Sequence, residues 1–152
     1  MTKMMAGNLS EDYDTAAIPG DIEPAGCSFT AVNAKEFKEA ITSLAFYKCI
    51  GLTSIKLPDT LTIVGESAFF KCTDLTSLTF PESLTTIGHR AFFDCVGVPT
   101  LTLPNSLTTV AECVFRGCTG LTSLTFPESL TTIGECAFFD CSGVPTLSLI
   151  HI

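Results

Sequence analysis

Cysteine is the residue type whose number and spacing could do chemistry, because the 152-residue chain contains eight. Five of them follow one another at a constant step: Cys49, Cys72, Cys95, Cys118 and Cys141. A constant step predicts a column of small inward-facing side chains, and buried thiols are usually inert. Zinc needs converging thiolates such as paired C-x-x-C units, which this spacing does not provide. The sequence therefore predicts reduced core thiols and no metal site.

Two further cysteines, Cys113 and Cys136, occupy a second column that carries Ser67 and Arg90 in other copies of the repeat described below. A position that accepts serine and arginine is expected to be exposed. We therefore expect both thiols to react quickly with a thiol reagent. In an oxidising compartment they could form a disulfide, so a thiol-based redox protein is one alternative function. Two inert surface thiols are the other interpretation.

Other catalytic arrangements are absent from the pattern. His89 occupies a column that carries Glu66, Glu112 and Glu135 in other copies, which is typical of a solvated rim. No serine has a histidine and a carboxylate placed by the repeat, and no glycine-rich loop is present to hold a phosphate. The sequence predicts no enzyme activity and no cofactor.

Composition excludes further classes of function. Hydrophobic residues make up 46% and charged residues 16%, with a formal net charge of −8. An acidic chain lacks the basic surface that nucleic-acid binding requires. No apolar run reaches the roughly 18 residues of a membrane span. Residues 1–26 have a net charge of −4 and no apolar periodicity, which predicts a disordered acidic leader. This leader has no secretory signal, which favours a cytoplasmic location.

A repeat with the same step as the cysteine column organises the chain from residue 27 onward. The predicted solenoid comprises a degenerate copy, four full copies and a truncated copy, with the bounds 27–51, 52–74, 75–97, 98–120, 121–143 and 144–152. Copies 75–97 and 121–143 match at 20 of 23 positions. The residues VPTL at 98–101 recur at 144–147, two copies later, which indicates that pairs of copies were duplicated.

Each copy has the pattern of one turn of a solenoid. Leu78 and Phe80 alternate with polar residues as in a half-buried strand, and Pro81 ends the pairing. Ala91 and Phe92 then suit a short helical turn. Stacked copies would place their strands in a parallel ladder with a spacing of about 4.8 Å. The predicted fold class is α/β, a solenoid with the strand ladder on the concave side and helical turns and loops on the other.

The unit L-x-x-L-x-L/F-P-x-x-L-x-x-I-G-x-x-A-F-x-x-C, complete at 75–97 and 121–143, resembles the BspA-like, Treponema-type class of leucine-rich repeats. The resemblance covers residues 29–149. It implies a non-catalytic interaction or structural module, which could be part of a larger surface antigen or adhesin. It also implies a cell-surface or secreted location if the N-terminus is incomplete.

The first candidate binding surface is the set of strand residues between the inward ones. Its members are Ser54, Lys56, Ser77, Thr79, Thr100, Thr102, Ser123 and Thr125. Short hydroxyl side chains could contact a protein partner or a glycan at little cost in rotamer entropy. A hydroxyl ladder could also bind ice or a carbohydrate polymer. The alternative is that Ser and Thr only fill a soluble strand face.

The second candidate surface is a column of larger side chains: Tyr47, Phe70, Phe93, Arg116 and Phe139. Four aromatic residues in line could form the kind of apolar patch that marks an interaction site. They could equally pack over the edge of the neighbouring copy.

The last prediction concerns the C-terminal end of the sequence. The repeat breaks off after Leu149, which would leave inward residues such as Leu130 and Phe138 uncovered. Exposed strand edges invite pairing with another chain, so we expect fraying or self-association there.

Overall fold

The computed structural model describes residues 31–33 and 38–144, so residues 1–26 and 145–152, with the predictions made for them, lie outside the described part. Within it, nine short strands are formed: β1 (Ala31–Asn33), β2 (Ala40–Ile41), β3 (Ser54–Lys56), β4 (Ile63–Val64), β5 (Thr86–Ile87), β6 (Thr100–Thr102), β7 (Thr109–Val110), β8 (Ser123–Thr125) and β9 (Thr132–Ile133). All their pairings are parallel and join equivalent positions of neighbouring repeat copies. Each repeat copy therefore forms one coil of a solenoid, named below by its residues.

Two strand ladders run along the stack. The first-strand ladder contains the pairs β1–β3 and β6–β8, and the second-strand ladder contains β2–β4–β5 and β7–β9. In coil 75–97 the first strand is reduced to a single bridge between Ser77 and Ser54. The prediction of parallel strands stacked in register is confirmed for these pairs.

The helical turns predicted opposite the strands do not form in the described residues. In coil 52–74 the segment is a series of turns in which Ser67 and Lys71 have positive φ angles of 53° and 56°. A left-handed residue at either end prevents a right-handed helix from starting or continuing. The Phe69 N–H instead donates to the Ala91 carbonyl of the next coil at 2.8 Å. The N–H groups of Ser67 and Lys71 make equivalent bonds, and we call this set the outer ladder.

Bonds beside the second strand run in the opposite direction, from a coil to the one before it. The Gly88 N–H donates to the Val64 carbonyl at 2.8 Å. A Cβ atom at Gly88 would lie only 2.7 Å from the Glu66 nitrogen. Glycine is needed at this position because the two backbones approach too closely for any side chain.

The core consists of columns of identical or similar side chains. Phe46, Phe69, Phe92, Phe115 and Phe138 stack with successive ring centroids 5.0, 4.9, 5.5 and 5.4 Å apart. The five cysteines of the first column are buried as predicted. From Cys72 onward their thiols also donate to carbonyls of the preceding coil; the Cys72 thiol, for example, lies 3.1 Å from the Phe46 carbonyl oxygen.

Both strand ladders break between coil 75–97 and coil 98–120, which we call the open junction. In coil 75–97 the Thr76 N–H donates to the Thr53 carbonyl at 2.9 Å. Pro99 takes the place of Thr76 in the next coil and has no N–H to donate. The expectation of a continuous strand ladder is therefore wrong at this point.

The second strand breaks at the same junction for a steric reason. Ala111 occupies the position of Gly88, where a Cβ atom would lie 2.7 Å from the Glu66 nitrogen of the preceding coil. A methyl group at this position therefore requires the two coils to lie farther apart. The next junction, between coil 98–120 and coil 121–143, has glycine again at Gly134. There the Gly134 N–H donates to the Val110 carbonyl at 2.8 Å, and we call this the closed junction.

Candidate functional site

The first candidate binding surface lies on the first-strand ladder, and we call it the first-strand face. Its side chains point away from the core. Lys56, Ser77, Thr79, Thr100, Thr102, Ser123 and Thr125 are exposed and Ser54 is half-buried. In β6 the buried Leu101 lies between the two exposed threonines, as the period of a strand requires.

The hydroxyl groups of the first-strand face differ from those of neighbouring columns in their hydrogen bonding. Within the described part of the chain, no hydrogen bond joins the side chains of Ser77, Thr79, Thr100, Thr102, Ser123 or Thr125 to a protein group. Neighbouring columns behave differently. The Thr76 hydroxyl donates to the Thr53 carbonyl at 3.2 Å, and the Ser129 hydroxyl donates to the Leu107 carbonyl at 3.0 Å. The solenoid therefore uses some hydroxyl columns to join coils, whereas those of the first-strand face make no hydrogen bond within the described part of the chain.

A cavity of about 320 Å³ opens on this face between coils 52–74 and 75–97. Its polar lining comprises Lys56, Asp59, Ser77 and Thr79. Apolar side chains, among them Leu57, complete the wall. Asp59 was not among the predicted site residues. The signal that could have indicated it is a polar residue directly after the strand-ending proline in each full copy.

A second exposed hydroxyl column was also missed. Thr86, Thr109 and Thr132 lie on the second strand with exposed side chains, and Ile63 takes this position in coil 52–74. The period of two within each short strand could have indicated this column.

The second candidate surface forms a stack along the outer ladder. The rings of Tyr47, Phe70 and Phe93 follow one another with centroids 5.0 Å apart. The Arg116 guanidinium continues the stack, 5.6 Å from the Phe93 ring and 5.1 Å from the Phe139 ring. Cation–π contact thus replaces ring stacking where the aromatic residue is missing. Since these faces contact one another, the column packs mainly within the solenoid, with Phe139 the exception at 58% exposed.

The prediction that Cys113 and Cys136 are both exposed is wrong for Cys113. Cys113 is 5% exposed and Cys136 is half-buried. Ser67 in the same column is 7% exposed, whereas Arg90 is exposed. The short side chains in this column are buried at Ser67 and Cys113 and half-buried at Cys136, and the long side chain of Arg90 is the exposed one. The presence of serine and arginine in this column therefore did not show that a cysteine there would be exposed.

Two thiols of the cysteine column, Cys95 and Cys118, are poor nucleophiles because their pKa values are raised. Desolvation raises the pKa of the Cys95 thiol to about 12. A hydrogen bond between the side chains of Cys118 and Cys141 raises the pKa of Cys118, to which burial adds, and lowers that of Cys141. Because the thiolate is the reactive form, Cys95 and Cys118 remain protonated and inert at neutral pH.

Metal binding and membrane insertion find no support in the described residues. No group of three or more His, Cys, Asp or Glu side chains there could hold a metal ion. The same part of the chain contains no helix long and apolar enough to cross a membrane.

Stacked coils with parallel strands and a leucine-rich core define the chain as a leucine-rich-repeat solenoid. The family model for the BspA type leucine rich repeat region matches residues 26–150 in 6 copies. The chain belongs to this BspA-type family.

Solved structures agree with this assignment. The T. pallidum leucine-rich repeat protein is 32% identical with a TM-score of 0.68, and the match covers 72% of this chain and 51% of that one. A leucine-rich cell surface protein from Faecalibacterium prausnitzii A2-165 is 24% identical with a TM-score of 0.57, covering 77% of this chain and 42% of that one. The chain thus spans about half the length of these structures. No curated protein matches significantly.

Proposed function

We propose that the chain is a non-catalytic protein-interaction module that binds its partner along the first-strand face, as part of a larger surface antigen or adhesin. The observation that carries this proposal is the row of exposed hydroxyls on β6 and β8, which make no hydrogen bond to the described part of the protein. Hydroxyl groups both donate and accept, so they can pair with the main chain of a partner. Short side chains also lose little rotamer entropy when they are fixed.

The family assignment supports the same conclusion, since solenoids bind along extended strand surfaces. A protein partner suits this face better than ice or a crystalline polymer. Lattice matching needs an uninterrupted ladder at a constant spacing of about 4.8 Å. The open junction interrupts both strand ladders, and Lys56 interrupts the row of hydroxyls. A glycan is the remaining alternative on this face.

The thiol-based alternative is weaker. It required two accessible thiols on neighbouring coils, and Cys113 is buried.

The test begins with peptides selected against the protein from a random library. Bound peptides should shift the amide signals of residues 54–56, 77–79, 100–102 and 123–125. Thr102→Lys combined with Thr125→Lys should weaken their binding about tenfold, because bulky charged side chains would cover the hydroxyl row. The matched control, Thr109→Lys combined with Thr132→Lys, alters exposed threonines on the second strand and should leave binding unchanged. Shifts confined to the outer ladder would contradict the proposal.

A further inference from the structure

The cavity on the first-strand face exists because coil 75–97 leaves the ladder early. Ser77 pairs with Ser54, but residues 78–80 belong to no strand and pair with neither neighbouring coil in the described part. The equivalent residues of coil 121–143 continue β8 as far as Thr125. The early divergence leaves a space of about 320 Å³ beside Lys56 and Thr79.

Two opposite charges line this cavity without neutralising each other. Lys56 and Asp59 are both exposed, and no ion pair joins them. In the described residues the salt bridge lies elsewhere, between Lys71 and Asp94 at 3.9 Å. Lys56 is also the one cation on the otherwise uncharged first-strand face, as far as the structure describes it. An ammonium group and a carboxylate that remain apart complement a partner with one charge of each sign.

We propose that this cavity is a docking pocket for a segment of a partner protein that carries one acidic and one basic side chain a few residues apart. The partner's carboxylate pairs with Lys56 and its cationic group pairs with Asp59. The hydroxyls of Ser77 and Thr79 supply hydrogen bonds to the bound segment. This assignment rests on the proposed function, because it names the chemistry of the partner on the same face.

The size and lining of the cavity favour side chains over a sugar ring. Its volume lies at the lower end of the roughly 300–1,000 Å³ of ligand pockets, which is enough for two side-chain ends. Phe80, the aromatic residue of the lining, is only 7% exposed and offers no open face on which a sugar ring could stack.

The test titrates the isotopically labelled protein with blocked peptides in which Glu and Lys are separated by one or two glycines. Peptides with Gln in place of Glu, of Lys or of both serve as controls, and glucuronic acid serves as the sugar probe. The peptide with both charges should shift the amides of residues 55–59 and 77–80. Replacing either charge should weaken binding about fivefold, the change expected from one favourable exposed ion pair.

Lys56→Met and Asp59→Asn should each give the same loss from the protein side. Their matched controls are Lys71→Met on the outer ladder and Glu128→Gln, which follows the strand-ending proline of coil 121–143. The proposal is overturned if no peptide shifts these amides, if the Glu-only peptide binds as well as the peptide with both charges, or if glucuronic acid alone binds. Selected peptides whose shifts are confined to residues 100–102 and 123–125 should bind these variants as well as they bind the unaltered protein. If the Lys71→Met variant lost binding of those selected peptides, the result would contradict the proposed function and not the docking pocket.

Discussion

Coil 98–120 meets coil 75–97 across the open junction and coil 121–143 across the closed junction. These two neighbouring coils have the same residue at 20 of 23 positions. The neighbours therefore cannot explain the difference. In other coils, the groups at the positions of Pro99 and Ala111 face the preceding coil: the N–H at the first position donates to it, and the glycine at the second lies against it. Both departures in coil 98–120 consequently act on the open junction alone. The position of a substitution on one side of a coil decides which junction it weakens.

The open junction is still held by contacts outside the strands. The Phe92 N–H donates to the Val114 carbonyl at 2.9 Å as part of the outer ladder. The Cys118 thiol donates to the Phe92 carbonyl at 3.3 Å. The Phe92 and Phe115 rings stack at 5.5 Å, and the Ser106 hydroxyl donates to the Leu84 carbonyl. The core and the outer ladder, rather than strand pairing, thus hold this junction together.

Phe115→Ala tests that conclusion with the largest expected effect. It removes the ring that stacks on both Phe92 and Phe138 and leaves a cavity in the core. The free energy of unfolding should fall by about 3–5 kcal/mol, measured by urea denaturation. Phe139→Ala removes a ring that is 58% exposed and should cost less than about 1 kcal/mol. Equal losses would show that the core stack is not what holds the coils.

Gly134→Ala should convert the closed junction into a second open one. A Cβ atom there would lie 2.6 Å from the carbonyl carbon of Ala111 and the nitrogen of Glu112. The resulting displacement should cost about 1–3 kcal/mol. Hydrogen exchange should accelerate at the amides of Thr131 and Thr132, while Glu135→Ala, an exposed change next to it, should have no such effect. Unchanged exchange in the Gly134 variant would mean that methyl crowding does not open a junction.

Ala111→Gly combined with Pro99→Thr should close the open junction. The double variant restores the donor and the space for ladder hydrogen bonds worth about 0.5–1.5 kcal/mol each, offset by about 1 kcal/mol for the added glycine. With one restored bond at each of the two positions, we expect a net gain of up to about 2 kcal/mol in the free energy of unfolding. Exchange at the Thr100 and Thr109 amides should slow. If neither single nor double variants slow it, another feature keeps the ladders apart.

Thiol labelling provides the smallest effect, because it reports accessibility without altering the fold. At about pH 8 the Cys95 thiol should stay unmodified, since burial raises its pKa to about 12 and its thiolate is scarce. Among the cysteines that the structure describes, the half-buried Cys136 should react with iodoacetamide first and the buried Cys113 more slowly. Mass spectrometry of native protein gives the order. Faster labelling of Cys118 than of Cys136 would indicate that the open junction exposes the core.

The features that repeat were predictable from the sequence. The constant step of the repeat places equivalent residues on neighbouring coils, so the strand register, the cysteine column and the exposure of the Thr100 and Thr102 side chains followed from spacing alone. Pro99 and Ala111 were also visible as departures from the motif. Predicting their effect requires knowing whether they face the preceding or the following coil, and the sequence pattern does not give this information.

Other features of the structure were not predicted from the sequence. Left-handed backbone recurs in the columns of Ser67 and Lys71. The Ser67 column has no glycine or asparagine to indicate it, whereas Gly117 in the Lys71 column was a signal that the sequence analysis did not use. The cavity beside Lys56 depends on where coil 75–97 leaves the ladder, which its near-copy 121–143 does not do. Differences of this size arise from the spacing between coils rather than from local residue preference.

The opposite directions of the two hydrogen-bond sets have an electrostatic consequence. Peptide dipoles in the outer ladder point one way along the stack, and those beside the second strand point the other way. The two sets oppose each other, so the stack accumulates less of the partial charge that aligned peptides place at the ends of an α-helix. Coils can therefore be added with little build-up of charge at either end. At the open junction only the outer set remains, and the solenoid carries an uncompensated dipole at that one position.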